Sequence, residues 1–203
     1  MSIHHLFEVL LDCKSLPEKL TDKKFVENLK DYLLPLITTS TYTRRQLLLS
    51  AGQVAESTYF LERGAARGFH INKDTNKEIT DFLWTLDSFI TVPDSFFHQR
   101  PSRLFIEVMP GTQLMGISYH DLMGCIEKYP VTDLFTRNLL LQSAVFEAKR
   151  NHELNSTSAW DRYLLLLKKY PDIEQQFSKG TIASYLNITP QSLSRMLKNK
   201  RHP

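Results

Sequence analysis

Apolar positions in residues 1–40 recur at helical spacing. Leu6, Val9, Leu10 and Cys13 share one face, and Phe25, Leu29, Tyr32 and Leu33 share another. Pro17 separates these two predicted helices and Pro35 ends the second. The first is expected to pack on whatever follows it. From Tyr42 to Ser118 the period shortens. Apolar or alternating runs at Tyr42–Leu49, Ser57–Glu62, Ala66–Ile71, Glu78–Trp84, Phe89–Val92, Arg103–Val108 and Thr112–Ser118 are broken by turn residues, which predicts an all-β sandwich or barrel. Gly52 and Gly64 stand where tight corners call for positive φ.

Helical spacing returns at Tyr119–Tyr129 and stops at Pro130. Over Val131–Asn155, the positions Val131, Leu134, Asn138, Leu141, Val145 and Ala148 follow at alternating steps of three and four, the seam of a coiled coil. Asn138 inside that seam would fix register at some cost in stability. Phe135, Leu139 and Phe146 lie off the seam, free to pack on the barrel. Two apolar faces on one helix predict a homodimer, with Leu134, Asn138, Leu141 and Val145 at the interface. Asn155–Ser158 is a polar break and a candidate hinge. Trp160–Tyr170 is predicted helical, with Tyr163, Leu164 and Leu167 inward and Pro171 after its end.

The last stretch, Ser178–Lys200, gives two short helices and a tight turn. Ser178 can cap the first, which carries Ile182, Ala183 and Leu186 on one face. Asn187 and Ile188 make the turn. Thr189 caps the second helix, and Pro190 occupies its first position, where a missing N–H costs nothing. Leu193, Met196 and Leu197 point inward, while Gln191, Ser192, Arg195, Lys198 and Asn199 fall on the opposite face. Such a hairpin is what a helix-turn-helix DNA reader needs. Arg and Gln suit base edges, Ser and Lys suit phosphates.

A basic outer face is also common on hairpins that only need to be soluble, so the placement of charge decides. From Lys179 to Pro203 there are five basic residues (Lys179, Arg195, Lys198, Lys200, Arg201) and no acidic one. The whole chain has 25 basic and 22 acidic residues; removing those five leaves 20 against 22. Positive charge is therefore concentrated on the hairpin, the electrostatic footprint of a nucleic-acid contact. The chain of 203 residues suits one large domain or two small ones. It has no apolar run long enough to span a bilayer and no signal-peptide pattern at its start, and Cys13 and Cys125 make no metal-type spacing. Reduced thiols in a cytoplasmic protein are the expectation.

The order of helices, β-barrel, long helix, hinge, helix and helix-turn-helix resembles the Crp/Fnr family of transcription regulators, in particular its short members. The resemblance runs from about Phe25 to Lys200 and rests on SAGQVAESTYFLERGAARGF at Ser50–Phe69, PSRLFIEVMPGTQLMGISYHDL at Pro101–Leu122 and TIASYLNITPQSLSRMLK at Thr181–Lys198. It implies an α+β chain in three parts. Residues 1–130 would form a jelly-roll sensor with N-terminal helices, 131–155 a dimerisation helix, and 156–203 a domain that inserts its second hairpin helix in the DNA major groove. Gln191 and Arg195 match base-reading positions, Pro190 stands where an Arg is common, and Thr189, Ser192, Lys198 and Lys179 are left to meet phosphates.

The implied sensor pocket departs from the cyclic-nucleotide pattern. Members that bind cyclic AMP carry a Gly-Glu pair for the ribose and an Arg-Ser/Thr pair for the cyclic phosphate. This chain has Thr91-Val92 and Ser102-Arg103 at those places. Val92 accepts no side-chain hydrogen bond, and a one-residue shift turns Arg103 to the other face of a strand. Cyclic AMP is thus not the expected ligand. An effector of another kind would meet Phe89, Val92, Ser102 and Arg103. Neither the N-terminal cysteine cluster of the iron–sulfur members nor a haem signature is present, and no cofactor is expected. His70, His98 and His120 are too scattered for the metal centre of a barrel enzyme. A non-enzymatic, homodimeric regulator of double-stranded DNA is the leading expectation, with RNA polymerase as a further partner. A sensor or scaffold module with a protein partner is second, and a jelly-roll enzyme third.

Overall fold

Short apolar strands with polar turns have too little surface to be stable alone and pair into sheets that bury one face. The computed structural model describes residues 3–12 and 16–201, with side chains described through Asn199; Cys13, placed on the first helical face, lies outside them. In chain order the elements are α1 (Ile3–Leu11), α2 (Glu18–Thr21), α3 (Lys23–Leu33), β1 (Thr38–Tyr42), β2 (Gln46–Leu49), β3 (Ser57–Arg63), β4 (Ala66–Ile71), β5 (Glu78–Trp84), β6 (Phe89–Ile90), α4 (Pro93–His98), β7 (Phe105–Val108), β8 (Thr112–Ser118), α5 (Tyr119–Lys128), α6 (Asp133–Ser156), α7 (Ala159–Lys169), α8 (Ile173–Gln176), α9 (Lys179–Tyr185) and α10 (Pro190–Arg201). One antiparallel sheet runs β1-β8-β3-β6 and the other β2-β7-β4-β5. Leu61, Ile90, Ile106, Val108 and Leu114 from both sheets fill the space between them. The predicted α+β class and barrel are present.

Three local details differ from the sequence expectation. Tyr42–Leu49, read as one run, is two strands in different sheets, broken over residues 43–45. The run from Arg103 starts as a strand only at Phe105. Ser102 Oγ accepts the Leu104 N–H (3.0 Å) and donates to the Leu104 carbonyl (2.9 Å), a local turn that holds the backbone off the ladder. Phe89–Val92 shortens to Phe89–Ile90 because Pro93 opens α4. Gly64 has φ +86°, and an added Cβ would lie 2.6 Å from Thr112 Cα, so the corner there requires glycine.

Two further cores flank the roll. On the outer side of the first sheet, Phe7, Leu29, Phe60, Met115 and Cys125 form a cluster that also takes in Val131, Leu134 and Phe135. At the other end Tyr163, Leu166, Phe177, Ile182, Leu186 and Leu193 form the core of the C-terminal helices, and this core continues into Ala65, Leu83 and Met109 of the roll. Leu164, expected inward, is exposed, and Leu166 is buried instead. Tyr163, Leu166, Leu167 and Tyr170 keep one face at steps of three and four, a choice that spacing alone leaves open in a run of four leucines. No described helix is long and apolar enough to cross a membrane.

Candidate nucleic-acid interface

The hairpin forms as its caps dictate. Ser178 Oγ accepts the Thr181 N–H at 3.1 Å and starts α9. Asn187, with φ +54°, turns the chain in the left-handed region, which Asn tolerates. The Ile188 N–H then donates back to the Ala183 carbonyl at 3.0 Å. Thr189 Oγ1 accepts the Ser192 N–H at 3.1 Å at the start of α10, with Pro190 at its first position. Leu193 is only 1% exposed and anchors α10 to the C-terminal core.

On the far side of α10 Gln191, Ser192, Arg195, Lys198 and Asn199 are all exposed. Neither Gln191 nor Arg195 has a side-chain hydrogen bond or ion pair to another described residue, so their donors remain available for base edges. Thr189 and Ser192 hydroxyls lie 2.9 Å apart. One of them donates to the other, which leaves one O–H of the pair for a phosphate. The N-terminus of α10 adds backbone N–H groups with the same preference for anions. Lys179 is exposed in the first turn of α9. The DNA-contact residues expected from the sequence thus lie on one hairpin, Lys179 on its first helix and the others at the start and outer face of its second.

What aims the hairpin was not visible in the sequence. α9 packs on β5, the edge strand of the second sheet. The Thr80 N–H donates to Ser184 Oγ (2.9 Å), and Ser184 Oγ donates to the Glu78 carbonyl (3.2 Å). Arg150 of α6 donates to the Thr80 (3.3 Å) and Tyr185 (2.7 Å) carbonyls and lies 3.8 Å over the Tyr185 ring. Arg162 of α7 donates to the Leu186 carbonyl (3.0 Å) and to that of Thr157 at the break between α6 and α7. The partners of all three side chains are mostly backbone atoms far away in sequence, and such partners leave no motif. Burial holds the Tyr185 phenol above its ordinary range and pushes Tyr170 up to about 12, so both rings stay neutral near pH 7.

The long helix divides the predicted seam. Leu134 packs inside its own chain, Asn138 borders a cavity, and Leu141 and Val145 are 64% and 59% exposed. Phe146 stacks on Phe82 of β5 at 5.4 Å, as its place off the seam suggested. None of the 24 residues of α6 is fully buried within the chain.

The four residues assigned to an effector pocket are not gathered. Val92 belongs to the roll interior, and Ser102 is buried with its hydroxyl engaged by Leu104. Arg103 is exposed. Phe89 is on the opposite side of the sheet, 5.2 Å from Phe60, where it lines a cavity of about 140 Å³ between α1, α5, the sheet and α6. The β6 pleat separates Phe89 from Ile90 and the roll interior. The histidines have ordinary partners: His70 meets Asp81 at 2.6 Å and His98 meets Asp94 at 3.0 Å. Among the described residues no group of three or more His, Cys, Asp or Glu is placed to hold a metal ion.

No protein-family model and no curated protein matches the chain. Solved structures do. A protein from Eubacterium rectale described as a transcriptional regulator of the crp/fnr family superposes with a TM-score of 0.69 at 16% identity, over 86% of this chain and 82% of that one. FixK2 from Bradyrhizobium japonicum gives 0.65 at 16% identity, over 80% and 83%. The c-di-GMP-responsive global regulator CLP of Xanthomonas campestris gives 0.66 at 14% identity, over 86% and 91%. The chain has the fold of the Crp/Fnr regulators over most of its length.

Proposed function

We propose that the protein is a DNA-binding transcription regulator that acts as a homodimer and reads a palindromic operator. The observation that carries this is the outer face of α10, where Gln191, Arg195 and Lys198 are exposed together on a hairpin rigidly anchored by Leu193. The fold of the Crp/Fnr regulators supports the same role. Residues 1–130 are the sensor part, 131–155 the dimerising part and 156–203 the reader. A second copy covers Leu141 and Val145, whose exposure on a heptad stripe supports a two-chain seam. Two readers related by a twofold axis then fall about one helical turn apart on DNA, and the operator must share that symmetry. RNA polymerase is the further partner and the cytoplasm the compartment of such a regulator.

The sensor does not answer to cyclic AMP in this proposal. Val92 is packed in the roll, the Ser102 hydroxyl is spent on Leu104, and Arg103 is exposed, so no cationic clamp for a cyclic phosphate is assembled. The test of the main proposal is selection of bound sequences from a random double-stranded DNA pool. A palindromic consensus supports it. Recovery of no enriched sequence at low salt would remove sequence-specific DNA reading.

A further inference from the structure

Between the second half of α6, α7 and the end of α9 lies a cleft of about 380 Å³. Five cations line it (Lys149, Arg150, Arg162, Lys168 and Lys169), against one carboxylate, Glu153. Its formal charge is therefore +4. Neutralisation within the chain is slight. Glu153 approaches Lys149 only to 3.8 Å. Arg150 gives only Nη2 to the Thr80 and Tyr185 carbonyls, and Arg162 gives one N–H from each of its three nitrogens to Thr157 and Leu186, which orients both guanidiniums without cancelling their charge and leaves further N–H groups unengaged. Lys169 lies over the rings of Phe146 (4.9 Å) and Tyr170 (4.7 Å), and the Tyr170 and Tyr185 phenols stay neutral. Among the described residues none of Arg150, Arg162, Lys168 and Lys169 has a carboxylate within ion-pair distance.

Elsewhere the chain treats a structural cation differently. Arg67, buried on the second sheet, is matched by Glu107 at 2.7 Å and by Glu78. Charges of one sign gathered in one cleft repel each other, weakly where water reaches them and more strongly where it does not. The cleft gathers positive charge and fixes two guanidiniums in place. We infer that this cleft binds a small multivalent anion of the phosphate-ester or polyphosphate class, one per chain. Guanidinium forks and ammonium groups are the donors such oxyanions take. The cleft volume suits a small metabolite. α10 contributes no residue to the cleft, which favours a free anion over the DNA backbone.

Binding itself does not depend on the DNA-reading proposal, but its consequence does. An anion here draws cations of α6 towards cations of α7 across the break at residues 157–158. Arg150 and Arg162 also hold the carbonyls at the end of α9, so occupancy of the cleft bears directly on the orientation of the reader.

The experiment titrates inorganic pyrophosphate into the full-length chain by calorimetry, with ionic strength held constant by sodium chloride. Saturable binding at one site per chain is expected, weakened by about tenfold or more in the double variant Lys149→Gln, Lys168→Gln. Both lysines are exposed and neither is needed for a core contact, so circular dichroism should match the parent. Absence of saturable heat at millimolar pyrophosphate, or equal binding by the variant, overturns the site. So does a variant that loses affinity for all DNA sequences alike when the parent binds no pyrophosphate, because the lysines would then meet DNA phosphates. Arg195→Ala must leave pyrophosphate binding unchanged. Pyrophosphate binding without any selected operator would sustain the site and reject the DNA-reading function instead.

Discussion

Arg195 and His5 show how much one side chain can be asked to do. Arg195 is exposed on α10 with an unoccupied donor fork, so Arg195→Ala should cost about 1–3 kcal/mol of specific binding to the selected operator and relax one base position. Equal affinity for the operator in a fluorescence titration would take Arg195 out of base reading. His5 ties α1 to the loop before β6. Its imidazole bonds Asp87 at 2.6 Å and Glu8 at 3.3 Å, and these carboxylates hold it above its ordinary range. A raised folded value means the stability it contributes is complete below the unfolded pKa of about 6.5 and is lost as pH rises through the folded value. The difference in urea midpoint between the parent and His5→Gln should therefore shrink from about pH 5.5 to about pH 8. A difference that stays constant or grows would show that the ion pair with Asp87 contributes nothing.

At the level of elements, α6 is the least self-sufficient part of the chain. A helix of 24 residues with no fully buried side chain gains comparatively little from packing within its own chain. Its first turns are docked by Leu134 and Phe135, and Phe146 meets the roll, but Leu141 and Val145 face outward. If the proposed twofold seam forms, replacing both with Glu puts like charges across it and should yield monomers in sedimentation, with helical content retained. A persistent dimer would place the interface elsewhere. In contrast α10 is anchored within the chain, by the cap at Thr189 and buried Leu193 in its first turn and by Met196 and Leu197 packed on the same core.

For the whole molecule, the junction of the roll and the C-terminal hairpin matters most. Ser184 supplies the acceptor for the Thr80 N–H, and Thr80 is fully buried. Ser184→Ala strands that donor, at a cost of about 1–3 kcal/mol in a denaturant titration. Amide exchange should quicken in β5 and α9 together; quickening confined to α9 would mean that the two are not coupled through this bond. The roll carries its own test. Added cyclic AMP should produce no rise in melting temperature, since ligand binding to the native state alone raises it by mass action. A clear rise would contradict the proposal drawn from Val92 and Ser102.

Much of this architecture is set by local pattern. The runs Ala66–Ile71, Glu78–Trp84 and Thr112–Ser118 are strands over those same residues, and the hairpin caps at Ser178 and Thr189 form as their residue types demand. Side-chain alternation, helical spacing and cap chemistry act between neighbours a few positions apart, so residue order suffices to specify them. The exposed polar face of α10 follows from the same spacing. Sheet membership does not: Tyr42–Leu49 looks like one strand and serves two sheets. Nor does the choice between Leu164 and Leu166 on α7, the division of the α6 seam, or the separation of Phe89 from Val92. Each depends on which distant surface arrives to cover a residue. The Ser184 contact with Thr80 joins positions 104 apart, and the cationic cleft assembles Lys149-Arg150 and Lys168-Lys169 from two helices. Local pattern says that these side chains are polar; only packing between remote segments settles what they hold.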